Sequence, residues 1–418
     1  MRKMKDSGIE WIGEIPEDWK ITTIGNLFFA KAGGDVKPNY YSYEKDDKHP
    51  FPVYTNSLDK NQIYAYTSTP IFPKNSITVT GRGDIGHAIF RDTEFDAIIR
   101  LNVLTSKIKL DEKYYTYFID TVIPFFTNSA AIGQLSANQI TPYRICYLPF
   151  SEQQKISAFL DRKCTEIDSV ISKTKATIEE YKKLKQSVIT QAVTKGIIPN
   201  RPMKDSGIEW IGEIPQEWEI IKSRYVIKKI TDIDHYMPTS VDVGIPYVMI
   251  GNLSEKATDI DFDNCKQISK NDFEILSKKS KAQKGDIIFA RYATIGTVCY
   301  VNLEKDFLVS YACVIINPNS MMLNGLFLYY YLKSATFLED VGQYINSNTQ
   351  NNVGIESLYK IKLTLPPIYE QQEIANYLDE KCSEIDKLIA KKEQLLTEME
   401  NYKKAVIYEY VTGKKEVE

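Results

Sequence analysis

Gly81-Arg82-Gly83-Asp84-Ile85-Gly86 has the spacing of a glycine-rich phosphate loop. Such a loop works by aiming backbone N–H groups at a phosphate from the start of a helix. The residues that follow, His87-Ala88-Ile89-Phe90, read as a strand, so the segment is expected to be a hairpin turn. The corresponding place further on, Arg291-Tyr292-Ala293-Thr294-Ile295-Gly296, keeps only the last glycine. Glu17-Asp18-Trp19-Lys20 has the carboxylate and lysine of a nuclease cluster, but its twin, Gln216-Glu217-Trp218-Glu219, loses the lysine. Asn317-Pro318-Asn319-Ser320 lacks the second proline and the aromatic residue that an amino-methyltransferase loop needs, and there is no P-loop for ATP. His49, His87 and His235 stand apart without motif partners. The six cysteines, Cys146, Cys164, Cys265, Cys299, Cys313 and Cys382, form no CxxC pair and are expected to be buried thiols, with no metal site. No catalytic constellation emerges, and no cofactor is expected on this chain.

The elements that would position any other chemistry are two long helices. From Ser151 to about Thr194 the chain has neither Gly nor Pro, and Ile156, Leu160, Cys164, Ile167, Ile171, Thr174, Ile178, Tyr181, Lys185 (with Leu184 beside it) and Val188 recur in steps of four and three. That is a heptad seam on a rod of about 66 Å. Ser151 with Gln154 offers a capping box, and Gly196 a stop. Residues Pro366 to Thr412 repeat this stretch at an offset of 218, with Glu152-Gln153-Gln154 matched by Glu370-Gln371-Gln372. The second seam runs Ile374, Leu378, Cys382, Ile385, Ile389, Lys392, Leu396, Met399, Tyr402, Val406, and Gly413 ends it. A lone helix with such a stripe would expose it to water, so each is expected to pack against the other.

A second repeat precedes each helix. Residues 4 to 16, Met-Lys-Asp-Ser-Gly-Ile-Glu-Trp-Ile-Gly-Glu-Ile-Pro, return unchanged at 203 to 215. The chain is thus a tandem of two large units, each a lead-in segment, a variable block and a long helix. Trp11 and Trp210 are expected to plug pockets beside them. Met203 follows Gly196 by seven residues, so the second lead-in must sit at the end of the central helix. If the units pack alike, Met4 to Pro16 sits beside Gly413, with approximate twofold symmetry. The blocks read as mixed α/β. Strands are expected at Ile77 to Thr80, His87 to Phe90 and Ile98 to Leu104, then at Asp286 to Phe289, Thr297 to Val301 and Leu308 to Ile316. Aromatic-rich helices are expected at Tyr114 to Phe126 and Leu326 to Phe337, each followed by a polar stretch, 133–140 or 347–353.

The paired Gly-Ile-Glu-Trp-Ile-Gly-Glu-Ile-Pro segments at Gly8 and Gly207, the paired Pro-x-x-Glu-Gln-Gln helix starts at Pro149 and Pro367, and Ser-Asn-Thr-Gln-Asn-Asn at 347–352 resemble one family, the specificity subunits of type I restriction-modification enzymes. The resemblance covers essentially the whole chain. It implies an α+β molecule: two mixed α/β target-recognition domains joined by two long helices in an antiparallel coiled coil. Residues 1–147 and 201–365 would be lead-in plus recognition domain, and 148–200 and 366–418 the helices. The implied function is non-catalytic: each recognition domain reads half of a bipartite double-stranded DNA site, and the helices set the spacer and dock two methyltransferase subunits, with restriction and translocase subunits joining them. S-adenosylmethionine, ATP and Mg would then belong to partner subunits. The competing readings are a coiled-coil scaffold without DNA reading and a stand-alone DNA-modifying enzyme.

DNA reading needs donors and acceptors held at base edges. The hairpin turns offer Arg82, Arg291 and Tyr292, and the polar stretches offer Gln134, Asn138, Asn348, Thr349 and Gln350. Lys278, Lys279, Lys281 and Lys284 could bind phosphate. A net charge of −3 excludes a chain wrapped in nucleic acid by bulk electrostatics, so local groups must do the work. At 418 residues two to four domains are expected, no apolar run approaches a membrane span, and Met1-Arg2-Lys3-Met4-Lys5-Asp6 lacks the apolar stretch of a signal peptide. The cytoplasm is the expected compartment.

Overall fold

The computed structural model describes residues 2–35, 40–126, 133–233, 236–292, 294–345 and 351–417. The chain divides into two compact units, Met1–Lys175 with Gln394–Glu418, and Ala176–Glu393. Each therefore holds one variable block, the start of one long helix and the end of the other.

In the first unit the lead-in is a small antiparallel hairpin, Met4–Asp6 with Glu14–Pro16. Lys20–Thr23 then pairs with Arg144–Tyr147, so the block leaves and rejoins the rest of its unit through neighbouring strands. Between them lies a four-stranded antiparallel sheet in the order Phe28–Ala32, Leu101–Ser106, Ser76–Thr80, Ala88–Arg91. The helix Glu112–Val122 buries Tyr114, Tyr115, Phe118 and Ile119 in the core beside it, capped by the Asp111 side chain, which accepts from the Tyr114 N–H at 2.9 Å. A smaller sheet, Asp96–Ala97, Phe51–Tyr54, Ile63–Thr67, Tyr41–Ser42, completes the block.

The second unit repeats this topology, its lead-in residue for residue and its block with almost unrelated residues. Met203–Asp205 pairs with Glu213–Pro215, and Glu219–Lys222 with Lys362–Leu365. The four-stranded sheet runs Ile227–Thr231, Cys313–Pro318, Ile287–Ala290, Val298–Tyr300, and the smaller one Lys266–Ile268, Ile245–Val248, Leu308–Val309. Two expected elements prove to be broken. The apolar run Leu308 to Ile316 divides into Leu308–Val309 in the small sheet and Cys313–Pro318 in the large one, because the chain turns the corner between sheets there. The helix expected over Leu326 to Phe337 is two, Gly325–Leu332 and Ala335–Gly342, since Ser334 caps the second by accepting from the Phe337 N–H at 3.2 Å. In the first unit the strand expected from Ile98 begins at Leu101, after Arg100 takes a φ of 80°.

The long helices are present as expected, Phe150–Lys195 (46 residues) and Ile368–Val411 (44 residues). Their starts differ from expectation. Ser151 lies inside the helix instead of capping it, because the N–H groups of Glu152 and Gln153 already bond the Pro149 carbonyl. The anchoring is done by buried glutamines. Gln153 accepts from the Asp111 N–H at 2.8 Å and donates to the Leu148 carbonyl at 2.9 Å. Gln371 accepts from the Asn324 N–H at 2.8 Å and donates to the Pro366 carbonyl at 2.8 Å. Each glutamine thus ties a long helix to the aromatic helix of its own block. Gly196 and Gly413, with φ of 76° and 73°, end the helices as the sequence implies.

Along the seams Ile156, Leu160, Cys164, Ile167, Thr174 and Ile178 are buried, as are Ile374, Leu378, Cys382, Ile385 and Val406. Within the first unit the Phe159 and Tyr410 rings lie 4.3 Å apart, Lys403 Nζ is 2.7 Å from Asp168, and Lys175 Nζ is 3.8 Å from Glu400. Numbers rise on one helix as they fall on the other, so the two segments run antiparallel. Within the second unit Lys185 Nζ lies 2.7 Å from Asp386, the same pair shifted by one repeat. Two seam positions depart from the heptad reading: Tyr402 is 45% and Leu184 48% exposed.

Trp19 and Trp218 are fully buried and tie each lead-in to its helix start. Trp19 Nε1 donates to Glu152 at 3.1 Å, and Trp218 Nε1 to Glu370 at 3.0 Å. Arg2 pairs with Glu152 and Asp18, and Arg201 with Glu370 and Glu217. The far side of each lead-in meets the other helix's end. In the first unit Tyr408 and Lys414 donate to the Ile12 carbonyl at 3.0 and 2.6 Å, and a Cβ on Gly413 would fall 2.4 Å from Pro16. The expected place of Met4 to Pro16 beside Gly413 is therefore found. Trp11 and Trp210 pack half-buried against the cores of their units. All six cysteines are free and buried, and burial pushes the Cys146, Cys299 and Cys313 thiols up to about 12. Among the described residues no helix is long and apolar enough to cross a membrane.

Candidate nucleic-acid interface

The residues from Gly81 to His87 link Ser76–Thr80 to Ala88–Arg91, so the glycine-rich segment is a hairpin turn with a strand after it and no helix N-terminus to receive a phosphate. Gly81 is required there: a Cβ would lie 2.5 Å from the Arg100 carbonyl oxygen. The turn is clamped by one side chain. Asn56 accepts from the Gly81 N–H at 2.7 Å and donates to the Arg82 carbonyl at 2.8 Å. The Leu135 N–H donates to the Gly81 carbonyl at 2.9 Å, and Asn102 Nδ2 to the Leu135 carbonyl at 2.9 Å. Arg82 and Gln134 consequently form a β-bridge, with Gln134 exposed. Asn138, also exposed, lies on the short helix Ala137–Ile140 that follows. The fold has brought the turn and the polar stretch to one place, although they are some fifty residues apart.

The second unit repeats the arrangement with other side chains. Tyr292 bridges Asn352, and the Val353 N–H donates to the Arg291 carbonyl at 3.0 Å. Tyr292 thus occupies the position of Arg82, and Arg291 that of Gly81. The Arg291 side chain is 14% exposed, and its guanidinium lies 2.7 Å from Asp232 and sits 4.7 Å over the Tyr292 ring. Its Nε is buried and has no hydrogen-bond partner among the described residues. Asn348, Thr349 and Gln350 lie outside the described residues, as does His235.

The lysine set is not part of this surface. Lys278, Lys279, Lys281 and Lys284 precede Ile287–Ala290, whereas the Arg291 turn follows it, so the two groups stand at opposite ends of one strand. Lys281 Nζ is 2.7 Å from Asp306. Lys281 and Lys284 line a cleft of about 620 Å³ together with Lys305. Asp18 of the nuclease-like cluster is engaged structurally, the Arg2 side chain holding its carboxyl below the usual range. Among the described residues no group of three or more His, Cys, Asp or Glu is placed to hold a metal. Asn56 and Asn102 were not legible in the sequence, since neither belongs to a repeat or motif.

Replacing Asn56 by alanine removes both bonds that hold the turn. Urea unfolding is expected to show a loss of about 1–3 kcal/mol, against less than about 0.5 for Asn61→Ala on the exposed loop nearby. Faster amide exchange at Gly81 in the Asn56 variant should accompany it. Equal effects of the two substitutions would mean the clamp is not needed.

Comparison with known proteins adds four findings. The sequence model described as "Type I restriction modification DNA specificity domain" matches residues 16–180 and 217–398. The chain is similar to the type I restriction enzyme MjaVIII specificity subunit of Methanocaldococcus jannaschii, at 23% identity over 96% of this chain and 93% of that one. It is also similar to the type I restriction enzyme EcoBI specificity subunit of Escherichia coli, at 22% identity over 77% of this chain and 72% of the other. In fold it resembles a chain solved in work on complex assembly and conformational transition of the type I R-M system, with a TM-score of 0.70, 14% identity, and coverage of 96% of this chain and 99% of that one.

Proposed function

This chain belongs to the family of type I restriction-modification DNA specificity proteins, and from that membership we propose that it reads a bipartite site on double-stranded DNA, one half with each block. The observation that carries this reading is the duplicated surface. Two blocks of one topology each bring a hairpin turn against a polar stretch, through Arg82 and Gln134 in one and Tyr292 and Asn352 in the other. Equivalent positions filled by different side chains are what two readers of different half-sites require. Arg82 and Arg291 with Tyr292 are the proposed base-edge groups, with Gln134, Asn138, Asn348, Thr349 and Gln350 beside them. Lys278, Lys279, Lys281 and Lys284 would make only phosphate contacts, from the far end of their sheet. For Arg291 to reach a base it must exchange Asp232 for guanine.

Residues 1–147 and 201–365 are then the two recognition domains with their lead-ins, and 148–200 and 366–418 the helices between them. Antiparallel ion pairs that recur one repeat apart support a coiled coil in a twofold-related molecule. The chain itself would do no chemistry. It would dock two methyltransferase subunits, joined by restriction and translocase subunits in the cytoplasm. S-adenosylmethionine, ATP and Mg would be theirs. A near-neutral chain gains little from phosphate attraction, so DNA should bind firmly only to the assembled complex.

The test is to express the chain with its methyltransferase in a host without modified adenines and to map those that appear. One bipartite motif with a fixed spacer is expected; a contiguous motif, or none, would overturn the reading. The same assay tests whether the helices set the spacer. Seven residues inserted after Ile171 and seven after Ile389 keep the heptad phase and add about 10 Å to each helix. The half-sites should stay the same while the spacer grows by about 3 bp, at roughly 3.4 Å per base pair. An unchanged spacer at full efficiency would show that something else fixes the distance.

A further inference from the structure

The two blocks are fastened to the long helices differently. In the second unit residues 254–258 lie along the edge strand Val298–Tyr300: the Tyr300 N–H donates to the Glu255 carbonyl at 3.0 Å, and the Thr258 N–H to Asn302 Oδ1 at 3.0 Å. From there two side chains reach the helices. Glu255 lies 3.3 Å from Lys185 Nζ on the central helix, pairs with Lys333 at the end of Gly325–Leu332, and accepts from the Tyr329 hydroxyl at 3.3 Å. Lys185 in turn pairs with Asp386 at 2.7 Å, and Lys256 lies 2.7 Å from Asp379, both on Ile368–Val411. Opposite charges thus alternate from Lys333 through Glu255 and Lys185 to Asp386. The first unit has the same helix groups without such a segment. Lys403, Asp168 and Asp161 are 218 positions from Lys185, Asp386 and Asp379. Among the described residues Lys403 pairs with Asp168 alone, and Asp161 takes Lys113 and Tyr117, both from the aromatic helix of the block. The loop after Phe51–Tyr54 is held to the edge strand Ala88–Arg91 by Arg91 Nη1, which donates to the Lys60 carbonyl at 2.7 Å. Between that loop and the helix groups Asp161 and Lys403 lies a cleft of about 880 Å³, which no side chain of residues 57–62 crosses to make a hydrogen bond or ion pair with either long helix.

We propose that residues 254–258 are a strap, and that Glu255 is the positioning residue by which it fixes the attitude of the second block on the long helices, leaving the first block the more compliant reader. The proposal rests on the bipartite reading above. A block attached at its entry strands and its aromatic helix can rock about that line, and a further attachment across the sheet edge opposes the motion. Glu255 acts through the orientation of the block, so it bears on the spacing at which the second half-site is accepted and not on the bases read. Its side chain is 53% exposed, so its loss loosens the strap without unfolding the unit.

Hydrogen exchange on the full chain reads the strap directly. In Glu255→Gln the Tyr300 amide, whose acceptor is the Glu255 carbonyl, should exchange about fivefold faster while the urea midpoint stays unchanged. Salt at about 500 mM should bring the unaltered chain toward the same rate, because half-exposed charges are screened. Lys256→Gln, which frees Asp379, should act in the same direction. The functional readout is methylation by the chain with its methyltransferase, on DNA carrying the two mapped half-sites at the native spacer and at one base pair more or fewer. Glu255→Gln should raise methylation at the altered spacers, relative to the native one, by about fivefold, with the half-sites themselves unchanged. Exchange at Tyr300 that the variant does not move, or faster exchange with the same spacer preference, would overturn the positioning role while leaving the bipartite reading intact. Absence of a bipartite motif with the unaltered chain would overturn that reading, and the positioning role with it.

Discussion

Alanine in place of Glu370 is expected to destabilise the second unit by about 3–5 kcal/mol, the cost of leaving a buried ion pair half-made. The Glu370 side chain is 3% exposed and that of Arg201 8%. The carboxylate also accepts from Trp218 Nε1 at 3.0 Å, so its removal strands a guanidinium and an indole N–H in one step. Glu217, still able to reach Arg201, places the cost at the lower end of the range. The matching change in the first unit should do less. Glu152 and Arg2 are 24% and 23% exposed, and water can take over part of what is lost. About 1–2 kcal/mol is expected for Glu152→Ala. Urea unfolding of the two variants should therefore rank Glu370→Ala well below Glu152→Ala in stability. Equal losses, or a loss below about 1 kcal/mol for both, would mean that the arginine and tryptophan do not fasten lead-in to helix as the geometry implies.

The long helices were legible because their signal is local and repeated: a heptad seam without Gly or Pro, written twice at one offset. The second lead-in's place at the end of the central helix followed from chain connectivity, Met203 coming seven residues after Gly196, and the first lead-in's place followed from it on the condition that the units pack alike. What was not legible depends on contacts between distant residues. Ser151 with Gln154 satisfies the pattern of a capping box, but the helix already begins at Phe150, two residues earlier than that cap implies, and Gln153 does the anchoring, through a partner forty-two residues away. The run Leu308 to Ile316 is apolar throughout, and nothing in it announces that two sheets share it. Arg82 and Arg291 look alike as turn arginines, yet they occupy neighbouring rather than equivalent positions, and among the described residues only Arg291 meets a carboxylate, fifty-nine residues away. The clamp by Asn56 had no signal at all.

The second large effect is on specificity. The first block joins the rest of its unit through the neighbouring strands Lys20–Thr23 and Arg144–Tyr147, and its partners on the helix start, Glu152 and Gln153, recur in the second unit as Glu370 and Gln371. A block taken from a relative between the positions of Pro16 and Pro149 therefore meets the same anchors it left. It should fold in place and bring its own turn and polar stretch with it. The central claim is that each block reads one half-site independently of the other, and the most direct test is to map modified adenines in cells expressing the exchanged chain with its methyltransferase. The account predicts that one half-site is replaced completely while the other half-site and the spacer are unchanged. Replacement of both half-sites, or of neither, would contradict it.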